Sequence, residues 1–115
     1  MTLAVHNPAT GERIAELPAD DAASVAPKAR AARAAQPAWA ARSLLERKAC
    51  IAHFREGVVR DLEALAATMT RETGKPIRMS RNELNGLLPR IDFFLQEVDR
   101  AIATETVFDE GGMKE

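Results

Sequence analysis

Apolar positions recur along most of the chain at three- and four-residue steps, a pattern that predicts helices. Leu44, Ile51, Val58 and Leu65 stand seven residues apart, and Phe54, Leu62 and Met69 fill the same face. One amphipathic helix is therefore predicted from about Ser43 to about Thr73, with Ser43 and Glu46 in capping-box spacing at its start. Its other face carries Arg42, Arg47, Glu56, Arg60, Asp61 and Glu63, read as a solvated surface. A further helix is predicted from about Pro76 to about Ala103, with Leu84, Leu87, Leu88, Ile91, Phe94, Leu95, Val98 and Ile102 as its apolar set. Pro89 inside it removes a backbone donor and predicts a kink or break near Asn85-Gly86.

The first forty residues follow a different pattern. Leu3 to Val5 and Arg13 to Leu17 are strand-like runs separated by "NPATGE", in which Pro8 pre-sets a turn φ and Gly11 supplies a positive one. A β-hairpin over residues 3–17 is the natural outcome. An alanine-rich helix is predicted from about 21 to 36, with Asp20, Asp21 and Ser24 as possible N-caps. Pro27 favours Ser24 as the cap, or else distorts the first turn. Pro37 and Trp39 mark a corner before the next helix, and the tail 104–115, with Gly111-Gly112, shows no core-forming pattern. The fold class predicted is mostly α with a short N-terminal β-hairpin.

With 115 residues the chain is one domain or part of one. Sixteen basic and seventeen acidic residues leave a net charge of -1, which selects neither a polyanion nor an anionic membrane. No apolar run approaches the ~20 residues of a membrane span, and the first residues lack the form of a secretion signal. A cytoplasmic protein that binds neither nucleic acid nor membrane is expected. The single cysteine, Cys50, excludes an internal disulfide and fits a reducing compartment.

Each candidate for chemistry has a structural counterpart. In "RETGKP", residues 71–76, a phosphate loop would need a glycine where Met69 sits, a hydroxyl residue where Pro76 sits, and a strand where a helix is predicted. Gly74 as a helix stop, Lys75 at a helix C-terminus and Pro76 in the first position of the next helix account for the same residues. Cys50 has His53, Arg47 and Lys48 within a helical turn, as a nucleophile needs, but its place beside Ile51 favours a small buried hydrophobe. Glu46, Cys50 and His53 share a face at i, i+4, i+7 without a fourth ligand, a weak zinc signal. His6 reads as a surface residue. Arg71, Lys75, Arg78 and Arg81 are opposed by Glu72 and Glu83, and the helices beside them are too long for a helix-turn-helix reader of DNA.

Taken in order, "NPATGERIAELP", "KARAARAAQPAWAARSLLERKACIAHF" and "RETGKP" resemble the opening of the aldehyde dehydrogenase superfamily, from about Val5 to about Glu105. "EGGMKE" is similar to the stretch just before that family's first dinucleotide-domain strand. The resemblance implies the N-terminal part of an α/β fold whose members oxidise an aldehyde to a carboxylate with NAD or NADP, through a cysteine thioester, as dimers or tetramers. It also implies that the family's nucleophilic cysteine, base glutamate, oxyanion-hole asparagine and cofactor loop lie beyond Glu115. No catalytic, cofactor-binding or metal residue is therefore assigned within 1–115, and Cys50 does not align with the nucleophile. In the family a monovalent-cation site draws on backbone carbonyls near the start of this segment and near the Gly-Lys-Pro turn. Val5 falls on or near its side-chain ligand and cannot ligate through its side chain, which leaves the backbones of Val5 and Glu72 as the contributors the resemblance implies.

Two functions follow from these readings. The first is the N-terminal scaffold of an NAD(P)-dependent aldehyde dehydrogenase, inactive alone, whose partners are the remainder of the enzyme and other copies. The second is a stand-alone helical interaction module with Leu44, Ile51, Val58 and Leu65 facing a partner. Whether the reading frame continues past Glu115 into a dinucleotide-binding region separates them.

Overall fold

The computed structural model describes residues 1–107, together with the backbone of 109–110 and 113–114. Strand β1 (Thr2–His6) pairs antiparallel with β2 (Arg13–Pro18), from Thr2 opposite Pro18 to Val5 opposite Ala15, with a register shift between Val5 and His6. The expected hairpin is present and is longer by a residue at each end. Four helices follow: α1 (Ala22–Ala40), α2 (Leu44–Arg60), α3 (Leu62–Thr73) and α4 (Ile77–Ala101). Short strands β3 (Asp109–Glu110) and β4 (Met113–Lys114) pair antiparallel in the tail, where no pattern was expected. A Gly-Gly pair between two short runs is itself a hairpin signal, although Gly111 and Gly112 lie outside the described residues.

Three prolines lie inside helices, and at Pro37 the expected corner is absent. Helix α1 continues through Pro27 and Pro37 to Ala40, so the corner falls after Trp39 rather than at it. Proline's fixed φ is helical, and the carbonyls left without a donor, those of Ala23 and Arg33, belong to exposed residues that water can serve. The cap is Asp21, not Ser24. Its carboxylate accepts from the Ser24 amide at 2.8 Å while the Ser24 hydroxyl accepts from the Asp21 amide at 2.9 Å, a reciprocal box that Pro27 does not disturb. Helix α4 likewise continues through Pro89, so the expected break is absent, and the carbonyl left without a donor belongs to exposed Asn85. The expected 43–73 helix is instead divided at Asp61, where φ is -102° and ψ 13°. Arg60 grips the Asp61 carboxylate through Nε at 3.0 Å and Nη2 at 2.7 Å.

Ion pairs set the packing. Lys48 meets Asp99, Arg55 meets Asp92 at 2.6 Å and Arg81 meets Glu63 at 2.8 Å. As α2 and α3 ascend, their partners on α4 descend, so α4 lies antiparallel along both. By that register Ala66 and Ser80 stand opposite one another, both fully buried, and these small residues let the backbones approach. Ser80 is satisfied by the Thr70 hydroxyl at 2.8 Å. Val58, Leu84 and Ile91 complete the buried core among the described residues. Ile51, Phe54 and Leu65, from the same apolar stripe as Val58, remain exposed.

Helix α1 joins in none of the extended packing contacts, which link β1 with β2, α2 and α3 with α4, and α2 with α3. The Cα radius of gyration is 20.9 Å, against roughly 13 Å for a compact domain of this length. Three helices form an antiparallel packing unit, and α1 approaches it at its C-terminal end, where Trp39 lines a cleft with Leu44, Ile51, Phe94 and Val98.

Capping charges give the acid response its sign. The Ser43 hydroxyl and amide hold the Glu46 carboxylate below its ordinary pKa, and Arg81 does the same for Glu63. Folded values below unfolded ones mean stabilisation that is full above the ordinary carboxylate range, about pH 4.3, and lost as pH falls through the lowered folded values. The thermal midpoint is expected to hold steady above about pH 5 and drop below about pH 4. Glu46→Gln with Glu63→Gln should give a shallower acid limb in melts followed by circular dichroism; an unchanged limb would assign the acid loss to other groups.

Candidate functional site

The two turns that stand out in the sequence meet in space. In the first, Asn7 accepts from Gly11 N–H at 2.7 Å, its side-chain oxygen accepts from Ala9 N–H at 2.9 Å, and its own amide donates to Glu12 at 2.8 Å. Gly11 takes the positive φ of 75° that this closure requires. In the second turn Gly74 ends α3 in the left-handed region, φ 71° and ψ 3°, with its amide donating to Thr70 at 2.9 Å. A Cβ on Gly74 would lie 2.9 Å from Pro8 Cγ and 3.4 Å from the Ala9 amide nitrogen. The glycine therefore serves the helix stop and the docking of the β-hairpin tip at once. The docking could not be read from the sequence, where only the helix stop had a local signal.

The rest of "RETGKP" is structural. Thr73 donates its hydroxyl to the Met69 carbonyl at 2.6 Å, and Lys75, half-buried, is held by Glu83. Pro76 occupies the N-cap of α4 with ψ 141°, one place before the expected first helical position, and its carbonyl accepts from Met79 N–H at 2.8 Å. The Gly74 amide, which a phosphate loop would turn to its ligand, is committed to the Thr70 carbonyl. Val5 is half-buried on β1 beside the register shift, and Glu72 is exposed in the last turn of α3.

The remaining candidates do not come together. Glu46 is occupied by Ser43, which donates its amide at 2.9 Å and its hydroxyl at 2.7 Å. His53 lies 3.4 Å from Glu56 on the outer face, both well exposed. Cys50 is exposed, not buried as its place beside Ile51 suggested; its nearest polar partner is the Arg42 guanidinium at 3.7 Å. One helical step is 100°, enough to carry it from the packed stripe to the surface. Among the described residues no group of three or more His, Cys, Asp and Glu is placed to hold a metal ion. His6, opposite Arg13 in the hairpin, is exposed.

Among the described residues no helix start has the glycine-rich form of a dinucleotide loop. A pyrophosphate sits on free amides at a glycine-rich helix start that follows a strand. Here α1 and α2 start on carboxylate-bearing caps, Asp21 with Asp20 beside it and Ser43 with Glu46, α3 starts on Asp61, and α4 starts on a proline. The caps of α1 and α2 hold first-turn amides and place a carboxylate beside them, whereas α3 and α4 have no side-chain cap bond.

The tip of the N-terminal hairpin thus meets the Gly-Lys-Pro turn that joins α3 to α4. The family model described as "Aldehyde dehydrogenase family" matches residues 1–114, and the chain belongs to that family, in its N-terminal segment. The chain is 33% identical over 110 residues to a 3,6-anhydro-α-L-galactose dehydrogenase of Streptomyces coelicolor, covering 96% of this chain and 22% of that protein. It is 35% identical over 99 residues to a glutarate-semialdehyde dehydrogenase of Pseudomonas putida, covering 86% of this chain and 21% of that protein. It is 40% identical over 85 residues to an N-succinylglutamate 5-semialdehyde dehydrogenase of Escherichia coli O157:H7, covering 74% of this chain and 17% of that protein. The chain thus spans about a fifth of the length of these relatives. A family match along nearly all of it does not favour a stand-alone interaction module. Among the described residues no helix is long and apolar enough to cross a membrane.

Proposed function

We propose that this chain is scaffold within an NAD- or NADP-dependent aldehyde dehydrogenase that oxidises an aldehyde to a carboxylate, working in the cytoplasm as a homo-oligomer. The observation that carries the reading is the contact of Gly74 with Pro8 and Ala9, where the two turns that mark the family lock the hairpin to the helices. Cofactor binding and bond making are assigned to the remainder of the enzyme, and no residue of 1–115 is given a catalytic, cofactor or metal role. The cofactor supplies the hydride acceptor when bound. The similar enzymes carry names running from an anhydrogalactose to glutarate and succinylglutamate semialdehydes. Sharing this segment across such names supports placing substrate choice elsewhere in the enzyme.

The test is direct. Purified 1–115 incubated with NAD or NADP and glutarate semialdehyde, or a simple aliphatic aldehyde, is expected to reduce no cofactor above the protein-free rate. Saturable reduction that scales with the concentration of the chain would overturn the scaffold assignment.

A further inference from the structure

Both layers of the packed helices are interrupted at one level. Between α2 and α3 the backbone leaves the helical region at Asp61, with φ -102° and ψ 13°, and α3 begins without a side-chain cap bond. The carboxylate that could cap it is held by Arg60 instead, so the first amides of α3 lack the support that Asp21 and Ser43 give α1 and α2. On α4, Pro89 has no amide to donate to Asn85, which leaves one rung out of the ladder. Gly86 stands in the same turn, and Gly57, whose carbonyl accepts from the Asp61 amide at 3.0 Å, stands in the turn before Asp61. These are the two glycines inside helices among the described residues, and glycine is the ordinary residue least committed to a helix interior.

The ion pairs show that the two interruptions lie side by side. Asp61 falls between Arg55 and Glu63, and Asn85 to Pro89 fall between Asp92 and Arg81, the partners of those same two residues. Each side of the level is braced for itself. Toward Trp39 stand Val58 and Ile91 with the Arg55–Asp92 and Lys48–Asp99 pairs. Toward Gly74 stand Ala66, Ser80 and Leu84 with the Arg81–Glu63 pair and the Thr70–Ser80 hydroxyl contact. Open clefts border the level on both layers, one beside Gly57, Asp61 and Leu65, the other beside Leu84, Gly86 and Arg90. Helix α1 takes no part in the extended packing and so does not splint it.

We propose that Asp61 and the Asn85–Pro89 turn form a hinge, about which the two braced halves of the helical unit bend relative to one another. One half carries the Gly74 turn with the docked hairpin tip, and the other carries the cleft that takes Trp39. The hinge therefore sets how far apart these two anchors stand, and residues 10–38, which join them, follow. A stiff pair of helices would pass a displacement at one anchor to the other, whereas hinged halves absorb it. The hinge goes beyond the dehydrogenase reading and does not rest on it.

Spin labels on the native Cys50 and on Thr68→Cys test it. Both positions are exposed, and they straddle Asp61 on one face, five helical turns or about 27 Å apart. Distances measured by double electron–electron resonance are expected to spread about twice as widely in the parent as in Gly86→Ala/Pro89→Ala, which returns a donor to Asn85 and removes the glycine. That variant should keep the parent's helical circular dichroism, because both positions are exposed and a Cβ at Gly86 would meet nothing within 4 Å. Pro89→Ala alone should narrow the spread in part. A pair confined to one half, Leu45→Cys with Val59→Cys after Cys50→Ser, both on exposed positions of α2, should be narrow already in the parent. A spread across Asp61 no wider than that of the confined pair overturns the proposal without recourse to any helix-restoring variant. So does a spread that stays as wide in folded Gly86→Ala/Pro89→Ala as in the parent, since the bending would then not pass through the Pro89 turn.

Discussion

Gly74→Ala is expected to destabilise the chain by about 2–4 kcal/mol, the combined cost of a left-handed φ on a residue with a Cβ and of a forced contact in a closed space. The Cβ would meet Pro8 Cγ at 2.9 Å, and relief would require the hairpin tip to lift from the end of α3. Gly11→Ala is the built-in comparison. Gly11 has a similar φ of 75° but nothing within 4 Å of an added Cβ, so only the backbone cost of about 1 kcal/mol applies. Thermal melts of the two variants should differ clearly, with part of the Gly74→Ala loss recovered in the double variant Gly74→Ala/Pro8→Ala. Equal midpoints for Gly74→Ala and Gly11→Ala would show that the hairpin tip adds nothing at that turn.

Ile91→Ala should cost about 2–4 kcal/mol, the range for emptying a packed aliphatic site. The buried apolar core among the described residues is Val58, Ala66, Leu84 and Ile91, so no neighbouring layer compensates for a cavity. Phe94, in the same predicted apolar set, is 63% exposed, and Phe94→Ala is expected to change stability by less than about 0.5 kcal/mol. Urea midpoints of the two variants, taken at low protein concentration, decide the matter. A Phe94 variant as weak as the Ile91 variant would mean that the chain covers Phe94 in solution.

That contrast shows where the sequence was informative. Periodicity alone placed Leu84, Ile91 and Val58 on inward faces, and capping chemistry at Ser43 and Glu46 located the start of α2. The turn residues Asn7, Pro8 and Gly11 predicted the hairpin because their preferences are local. Failures came where a local rule met an exposed setting. Pro37 was read as a corner, yet the carbonyl it leaves without a donor, that of Arg33, lies where water can satisfy it, so α1 continues to Ala40; the same setting keeps α4 continuous at Pro89, where a break was one of two expected outcomes. Cys50 and Phe54 share the periodic region with Val58, but one neighbouring helix covers only one side, and no period says how wide a covered side will be. The contact between Pro8 and Gly74 joins residues far apart in sequence, each with a sufficient local explanation, so nothing in the chain advertised it. The family resemblance was legible because its motifs are these same turn and cap residues, and the match over 1–114 agrees with it.

Helix α1 has a thermodynamic consequence of its own. Its nineteen residues take no part in the extended packing, and Pro27 and Pro37 each remove a rung from its hydrogen-bond ladder. Its order rests on alanine propensity, the Asp21–Ser24 box, the Lys28–Asp20 pair and the contact of Trp39 at its end, and a helix so sparsely supported is marginal in water. Unfolding of the chain is then not one event: amide protons of α1 exchange through local opening, while those of α2, α3 and α4 wait for the core to part. Anything that docks along α1 supplies from its binding energy the free energy that orders it, and so makes its own arrival visible as slowed exchange over that helix.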